Sequence, residues 1–296
     1  MPLTVKDLMK MEGAYLPGSA ACPGCGLSLS FRIASRVLGK NTVYVVPACC
    51  FSVVQSPMPL TSIKAPLLNI AFAAAAAAAS GIKRAYETLN KDINVVVWAG
   101  DGGTADIGLQ ALSGAAERNE NIIYVCYDNE AYMNTGIQRS GATPRGAWTR
   151  TTLKGKEEPK KNVPMIVAAH KAPYVATASV GYPFDLIRKF EKALSIKGFR
   201  YIHLLSPCPP GWEIDSSTTV EIAKLATDTY FFPLYEVENG KLRITVKPPK
   251  RRPLKDYLSV QGRFRHLSDE EIERMEKEAI NWWNHLLEME KMESIL

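Results

Sequence analysis

Apolar positions fall in blocks whose period switches along the chain. Residues 27–38 carry them at helical spacing, and 42–46 is a β-branched run closing at Pro47, which predicts a helix and then a buried strand. Residues 70–89 open with a nearly unbroken alanine stretch, which combines the highest helix propensity with small side chains. A closely packed, buried helix is expected there. The apolar run 93–99 ends at Gly100, and a helix-like segment, 105–118, leads to a second apolar run, 122–127, so these three form a βαβ unit. Strand, helix and strand recur at 174–179, 183–194 and 201–205. The fold class is therefore α/β, a mainly parallel sheet with helices on both faces.

Two regions break the alternation. Residues 128–164 are long, polar and rich in Gly, Thr, Arg and Lys, and a structureless stretch of that length in a compact domain is usually functional. Beyond Pro207 the pattern changes again, with a helix expected at 216–227, a hairpin at 234–246 turning at Asn239 and Gly240, and a basic, extended arm at 247–265. A terminal amphipathic helix, 268–289, starts on a capping-box pattern, Ser268 and Glu271. These boundaries divide the chain into an α/β domain, 1–212, and a C-terminal extension, 213–296, expected to contact another subunit.

Composition adds exclusions. Of the 296 residues 46% are hydrophobic and 22% charged, which is ordinary for a globular chain and argues against disorder. A net charge of +6 falls short of a nucleic-acid signature. The longest apolar stretch, 70–82, is too short to span a bilayer, and the first 15 residues show neither a secretory signal nor a transit peptide, so a cytoplasmic location is expected. Six cysteines are too few and too unevenly placed for a disulfide framework.

Chemistry concentrates where strands end. Gly100-Asp101-Gly102-Gly103 follows the strand 93–99 and precedes a helix, a place where glycines let a diphosphate approach the backbone and a helix start offers free N–H groups. A carboxylate among those glycines suits magnesium bridging phosphate oxygens. Asp128-Asn129 follows the next strand, so both clusters should emerge on one sheet edge and share one cation. Alone, Gly-Asp-Gly would be a turn.

The cysteines form a second constellation. Cys22 and Cys25 have the gap that lets two thiolates share a metal or cluster, Cys49-Cys50 follows the first strand, and Cys208 lies between prolines. Cys126, inside a strand, reads as inert core. Four thiolates from three loops suit a [4Fe-4S] cluster, and zinc has the same ligand preference. Neighbouring side chains in an extended segment point opposite ways, so only one of Cys49 and Cys50 reaches the site.

The paired strand-end clusters resemble the diphosphate-binding half of thiamine diphosphate enzymes. With Cys22, Cys25, Cys50, the stretch Asn129-Glu130-Ala131-Tyr132-Met133-Asn134, Ala142-Thr143-Pro144, Pro207-Cys208-Pro209 and Gln261-Gly262-Arg263-Phe264, the chain resembles the β subunit of pyruvate:ferredoxin oxidoreductase and its 2-oxoacid relatives over almost its whole length. The resemblance implies oxidative decarboxylation of a 2-oxoacid, pyruvate by default, to acyl-coenzyme A, with electrons passed singly through a [4Fe-4S] cluster to ferredoxin. It implies Asp101, the Asn129 side chain and the Ala131 carbonyl as magnesium ligands, and Cys22, Cys25, Cys50 and Cys208 as cluster ligands. Cys49 stands where the family commonly has glycine, and Leu27 where relatives often carry a polar residue near the cofactor.

By the same resemblance Gly100, Gly102, Gly103 and 129–134 cradle the diphosphate, while Gly24, Cys25, Leu27 and Cys50 lie beside the cofactor. Asn134 is expected near the reacting centre, its plain alternative being an Asx turn. Only one cofactor-binding half is present, which implies an α subunit supplying the pyrimidine half and its activating glutamate, a γ/δ-type ferredoxin-like subunit, and inactivity of this chain alone. Lys154, Lys156, Lys160 and Lys161 read as solvated charge, with contact to coenzyme A or an acidic partner as the alternative. The four histidines receive no role. Two other readings stay open, a cluster-free thiamine diphosphate decarboxylase subunit and a noncatalytic zinc-stabilised scaffold.

Overall fold

The computed structural model describes residue 3 and residues 5–296. Eight strands form one sheet: β1 (Thr42–Pro47), β2 (Leu67–Ile70), β3 (Asn94–Gly100), β4 (Ile123–Asp128), β5 (Tyr174–Ser179), β6 (Arg200–Leu205), β7 (Leu234–Glu238) and β8 (Lys241–Val246). Their spatial order is β2-β1-β3-β4-β6-β5-β7-β8. The first six run parallel, and β7 and β8 are added antiparallel beyond β5.

Apolar runs become strands covered on both sides because successive side chains alternate between faces. Val96 and Trp98 of β3 join Val125 and Tyr127 of β4 in one apolar layer, whereas Val95, Val97 and Ala99 join Tyr124 and Cys126 in the other. Helices Gly26–Leu38 and Pro183–Ser195 cover the first face, inserting Phe31 and Phe190 beside Trp98. Helices Ala75–Thr88, Leu109–Glu117, Val163–Ala168 and Asp269–Lys291 contribute to the second. Cys126 is fully buried there, as expected of a core residue.

Several expectations change. Residues 67–70 form a strand because their backbone pairs with β1, so the alanine helix begins at Ala75. It buries one face through Ala75, Ala76 and Ala79, and Ala77 stays exposed. The helix expected at 105–118 is preceded by a wide π-type turn, Gly102–Asp106, and runs Leu109–Glu117.

The C-terminal part is not a separate layer. Its hairpin extends the same sheet, and Trp283 stacks on Tyr230 with ring centroids 4.1 Å apart. Residues 247–265 are not an extended arm, because a short helix, Leu254–Leu258, and a 3-10 turn, Gly262–Phe264, fold back to bury Leu254, Tyr257, Leu258 and Phe264 against Trp212 and Leu225. That apolar cluster crosses the boundary expected at 212/213. The capping box forms: the Glu271 N–H donates to Ser268 Oγ at 3.2 Å, and the Ser268 N–H to Glu271 Oε2 at 2.8 Å. Among the described residues no helix is long and apolar enough to cross a membrane.

Candidate cofactor site

Parallel register brings the strand ends together. Gly100 of β3 lies opposite Tyr127 of β4, Asp128 lies opposite Leu205 of β6, and the Ser206 N–H donates to the Asp128 carbonyl at 2.8 Å. The loops carrying Cys49-Cys50, Asp101, Asn129 and Cys208 therefore open on the carboxyl edge of one sheet, the usual ligand edge of such folds.

Two adjoining cavities occupy this edge. One, of about 240 Å³, is lined by Cys49, Cys50, Phe72, Gly100, Asp101, Gly102, Gly103, Asn129, Ala131, Tyr132, Met133 and Asn134, among others. The other, of about 290 Å³, has Cys22, Cys25, Cys50 and Cys208 together on its wall, with Leu27 among them. Cys50, Asn129, Met133 and Asn134 line both.

Oxygens converge in the first cavity. The terminal amide atom of Asn129 that faces Asp101 and Ala131 lies 3.0 Å from Asp101 Oδ1 and 2.9 Å from the Ala131 carbonyl. With nitrogen there the amide donates to both; with oxygen there, three oxygens meet at a point that a cation would stabilise. Asp101 is buried, and desolvation followed by the charge of Asp128 pushes its carboxyl well above the usual range, although the Ser140 hydroxyl donates to it. A bound cation would favour its ionised form. The donor set therefore fits magnesium.

Glycine is required at 102, since a Cβ would sit 2.3 Å from Tyr132 Cε1. Tyr132 is itself fixed by donating its hydroxyl to Asp106 Oδ2 at 2.8 Å.

The sulfurs of the second cavity come from separate elements. Cys49 is extended and its thiol donates to the Pro47 carbonyl at 2.9 Å, while Cys50 begins the short helix Cys50–Val54 and faces the four-cysteine cavity. Phe51 anchors that helix, packing 4.5 Å from Phe31 between ring centroids. Desolvation, with the neighbouring Cys25 and Cys22 adding to it, pushes the Cys208 thiol up to about 12, and desolvation also raises Cys25 and Cys50. Thiolates here need compensating positive charge, which the irons of a cluster would bring. Among the described residues no three Cys, His, Asp or Glu side chains gather tightly enough to hold a single ion. The four cysteines share a cavity, not a point.

Two expected cofactor contacts lie elsewhere. Gly24 lines neither cavity; its positive φ, +69°, lets it pack on the Ser216 carbonyl, 2.2 Å from where a Cβ would stand. Glu130 also lines neither, because a left-handed backbone, φ 67°, turns it inward to Lys160 Nζ at 2.6 Å and Arg263 Nη2 at 2.6 Å. Asn134 is exposed at the wall of both cavities, and among the described residues its side chain accepts no turn hydrogen bond.

The lysines are largely not solvated. Lys156 is buried and donates to the carbonyls of Thr143, Glu158 and Pro159; Lys160 bridges Asp128 and Glu130; Lys161 donates to the Ala105 carbonyl. Only Lys154 of the four is exposed. Lys156 thus pins the 128–164 segment to itself, while Lys160 and Lys161 tie it to the end of β4 and to the turn after β3.

Sequence reasoning also missed His203. Its Nε2–H donates to Asp128 Oδ2 at 2.8 Å, which leaves Nδ1 to accept from Tyr201 Oη at 2.7 Å. Burial opposes the Asp128 carboxylate, but Lys160 and His203 hold it far below the usual range; burial likewise opposes the Lys160 ammonium, and Asp128 and Glu130 keep it charged. A charged Lys inside a polar loop gives no sequence signal of its own.

Comparison with known proteins agrees with this geometry. Residues 48–204 match the family described as thiamine pyrophosphate enzyme, C-terminal TPP binding domain. The chain is 53% identical over 272 residues to pyruvate synthase subunit PorB of Methanothermobacter thermautotrophicus, covering 90% of this chain and 94% of that one. It is 46% identical over 288 residues to ketoisovalerate oxidoreductase subunit VorB of Pyrococcus horikoshii, covering 93% of each. Among solved structures it resembles 2-oxoglutarate:ferredoxin oxidoreductase from Magnetococcus marinus, with TM-score 0.58 and 26% identity over 73% of this chain and 82% of that one. The chain belongs to the β-subunit family of the thiamine diphosphate-dependent 2-oxoacid:ferredoxin oxidoreductases.

Proposed function

We propose that this chain is the diphosphate-binding, cluster-bearing subunit of an enzyme that oxidatively decarboxylates a 2-oxoacid, pyruvate first, to acyl-coenzyme A and carbon dioxide, with ferredoxin as electron acceptor. One observation carries the reading: the glycine and carboxylate cavity and the four-cysteine cavity share the wall formed by Cys50, Asn129, Met133 and Asn134. When bound, thiamine diphosphate would supply the carbon–carbon cleavage and a [4Fe-4S] cluster the one-electron steps.

The chain's own residues bind and orient. Asp101, Asn129 and the Ala131 carbonyl hold magnesium, and the Gly102 and Gly103 backbone leaves room for the diphosphate. Cys22, Cys25, Cys50 and Cys208 hold the cluster, with Leu27 on the same apolar wall excluding water. Asn134, exposed on the shared wall, would contact the reacting end of the bound cofactor. The missing pyrimidine half and its glutamate come from an α subunit, and a ferredoxin-like γ/δ subunit carries electrons onward.

Pyruvate is preferred because the relative at 53% identity is a pyruvate synthase subunit, ahead of the ketoisovalerate relative at 46%. A cluster-free decarboxylase would need the four cysteines to be structural or to bind zinc, and among the described residues they share a cavity rather than meeting at the single point one ion requires. Family membership leaves no place for a noncatalytic scaffold.

The test is a substrate panel on the reconstituted complex, following ferredoxin reduction with coenzyme A present and absent. Pyruvate should give the fastest coenzyme A-dependent reduction, by a brown protein absorbing near 400 nm, roughly, from thiolate-ligated iron. No reduction with any 2-oxoacid by a fully loaded complex would reject the function; faster turnover of a branched substrate would reject only pyruvate.

A further inference from the structure

Arg263 lies far along the chain from the cofactor loops, yet it is fully enclosed. Its Nη2 donates to Glu130 Oε2 at 2.6 Å and its Nε to Gln261 Oε1 at 2.9 Å, with the guanidinium 3.8 Å from the Trp212 ring centroid and 4.7 Å from that of Phe264. Trp212 ends the short helix Pro209–Trp212 that follows Cys208, and its indole N–H donates to the Asn129 carbonyl at 2.8 Å. One side chain thus touches both the turn that carries Cys208 and the loop that carries Asn129 and Ala131.

The arrangement has an energetic cost that packing alone does not demand. A buried guanidinium loses its hydration, and apolar residues of the same volume often stabilise a core as well as an ion pair does. Glu130 also accepts a left-handed backbone, φ 67°, a conformation that is strained for a non-glycine residue. What the pair supplies is direction: Glu130 faces inward onto Arg263 and Lys160, and the Thr143 hydroxyl donates to its carbonyl at 2.7 Å. Residues 129 and 131, on either side, are left facing the cavity.

We propose that Arg263 is a positioning residue that fixes the cation loop, 129–131, against the Cys208 turn, so that the C-terminal segment sets cofactor affinity. The proposal rests on the thiamine diphosphate reading above. It assigns the buried part of the basic segment to the site rather than to a partner's surface.

The experiment uses the chain in complex with its partner subunits and measures magnesium-dependent thiamine diphosphate binding by calorimetry, with the melting temperature of the cofactor-free complex recorded beside it. Arg263→Met should weaken binding about ten-fold or more, the usual cost of removing a residue that orients metal ligands. Arg263→Lys should fall between, since an ammonium can pair with Glu130 but cannot stack its plane on Trp212. Arg263→Met added to Glu130→Gln should cost less than about half its effect in the native background, because the two act as one unit.

Leu225→Ala, in the same apolar cluster and outside both cavities, serves as the stability control. It should lower the melting temperature and leave binding unchanged. Binding within about two-fold of native for Arg263→Met overturns the proposal. If that variant does not fold, Arg263→Lys decides by the same threshold. A loss of affinity matched by Leu225→Ala also overturns it, by reducing the effect to general destabilisation. If the native complex takes up no thiamine diphosphate with magnesium, the functional reading itself falls.

Discussion

The two loops that meet at the proposed cation site are held in opposite ways. The loop after β3, Gly100 to Gly103, is shaped largely by its own glycines and neighbouring Thr104, whose Oγ1 donates to the Gly100 carbonyl at 2.7 Å, with Tyr132 packed on Gly102 and the Ser140 hydroxyl on Asp101 as its contacts from farther along the chain. The loop after β4, Asp128 to Ala131, is held by groups remote in sequence, Lys160, His203, Trp212 and Arg263. The first can be read from a short window of sequence. The second is a balanced set of buried charges, two carboxylates against two cations, whose members have no meaning until the chain is folded. A ligand loop can therefore be conspicuous in sequence while the groups that aim it are not.

Three perturbations separate the two regimes. The largest effect belongs to the local loop's one carboxylate. Asp101→Ala should weaken magnesium-dependent thiamine diphosphate binding by about a hundred-fold or more, since magnesium takes few ligands from protein and this is the charged one. Calorimetry on the complex checks it, and unchanged affinity would remove Asp101 from the cation site.

Gly102→Ala should come next, costing about 1–3 kcal/mol of stability as the new methyl displaces the Tyr132 ring. Denaturant unfolding measures this. No loss would mean that Tyr132 moves freely and that the local loop is less tightly specified than its geometry indicates.

The smallest effect is expected from pH acting on the remote clamp. The Asp128 carboxyl titrates below its ordinary value, so its contribution to stability is complete above about pH 3.9 and is lost as the pH falls through that value and beyond. Melting temperatures below about pH 4 should therefore drop more steeply for the native chain than for Asp128→Asn, which starts less stable because Lys160 loses a partner. Equal slopes would show that the carboxylate gains nothing from its surroundings.

Legibility differed in the same way elsewhere. β3 and β4 were plain because continuous apolar runs suit strands covered on both faces, and Ser268 with Glu271 announced the last helix. β2 was hidden by its shortness and by its place at the sheet edge, where two of its four residues are exposed. The basic stretch 247–265 read as an extended arm because its charges dominate its pattern, whereas Leu254, Tyr257, Leu258 and Phe264 drive it back onto the core. The two neighbours Cys49 and Cys50 diverge only in the fold: Cys49 is extended with its thiol on the Pro47 carbonyl, while Cys50 begins a helix and lines the cavity that Cys22, Cys25 and Cys208 also line.

The sequence by itself determined the α/β layering, the glycine and carboxylate turn after β3, the asparagine turn after β4, and the cysteines offered to one site. Those are properties of adjacent residues, dictated by side-chain alternation and by where a backbone can admit a phosphate. Tertiary structure alone decided which way Glu130 and Gly24 face, which lysines are buried, and that Arg263 reaches Glu130 across 133 positions of sequence. A buried charge is tolerable only beside its partner, and that partner is chosen by how the sheet and the C-terminal segment pack.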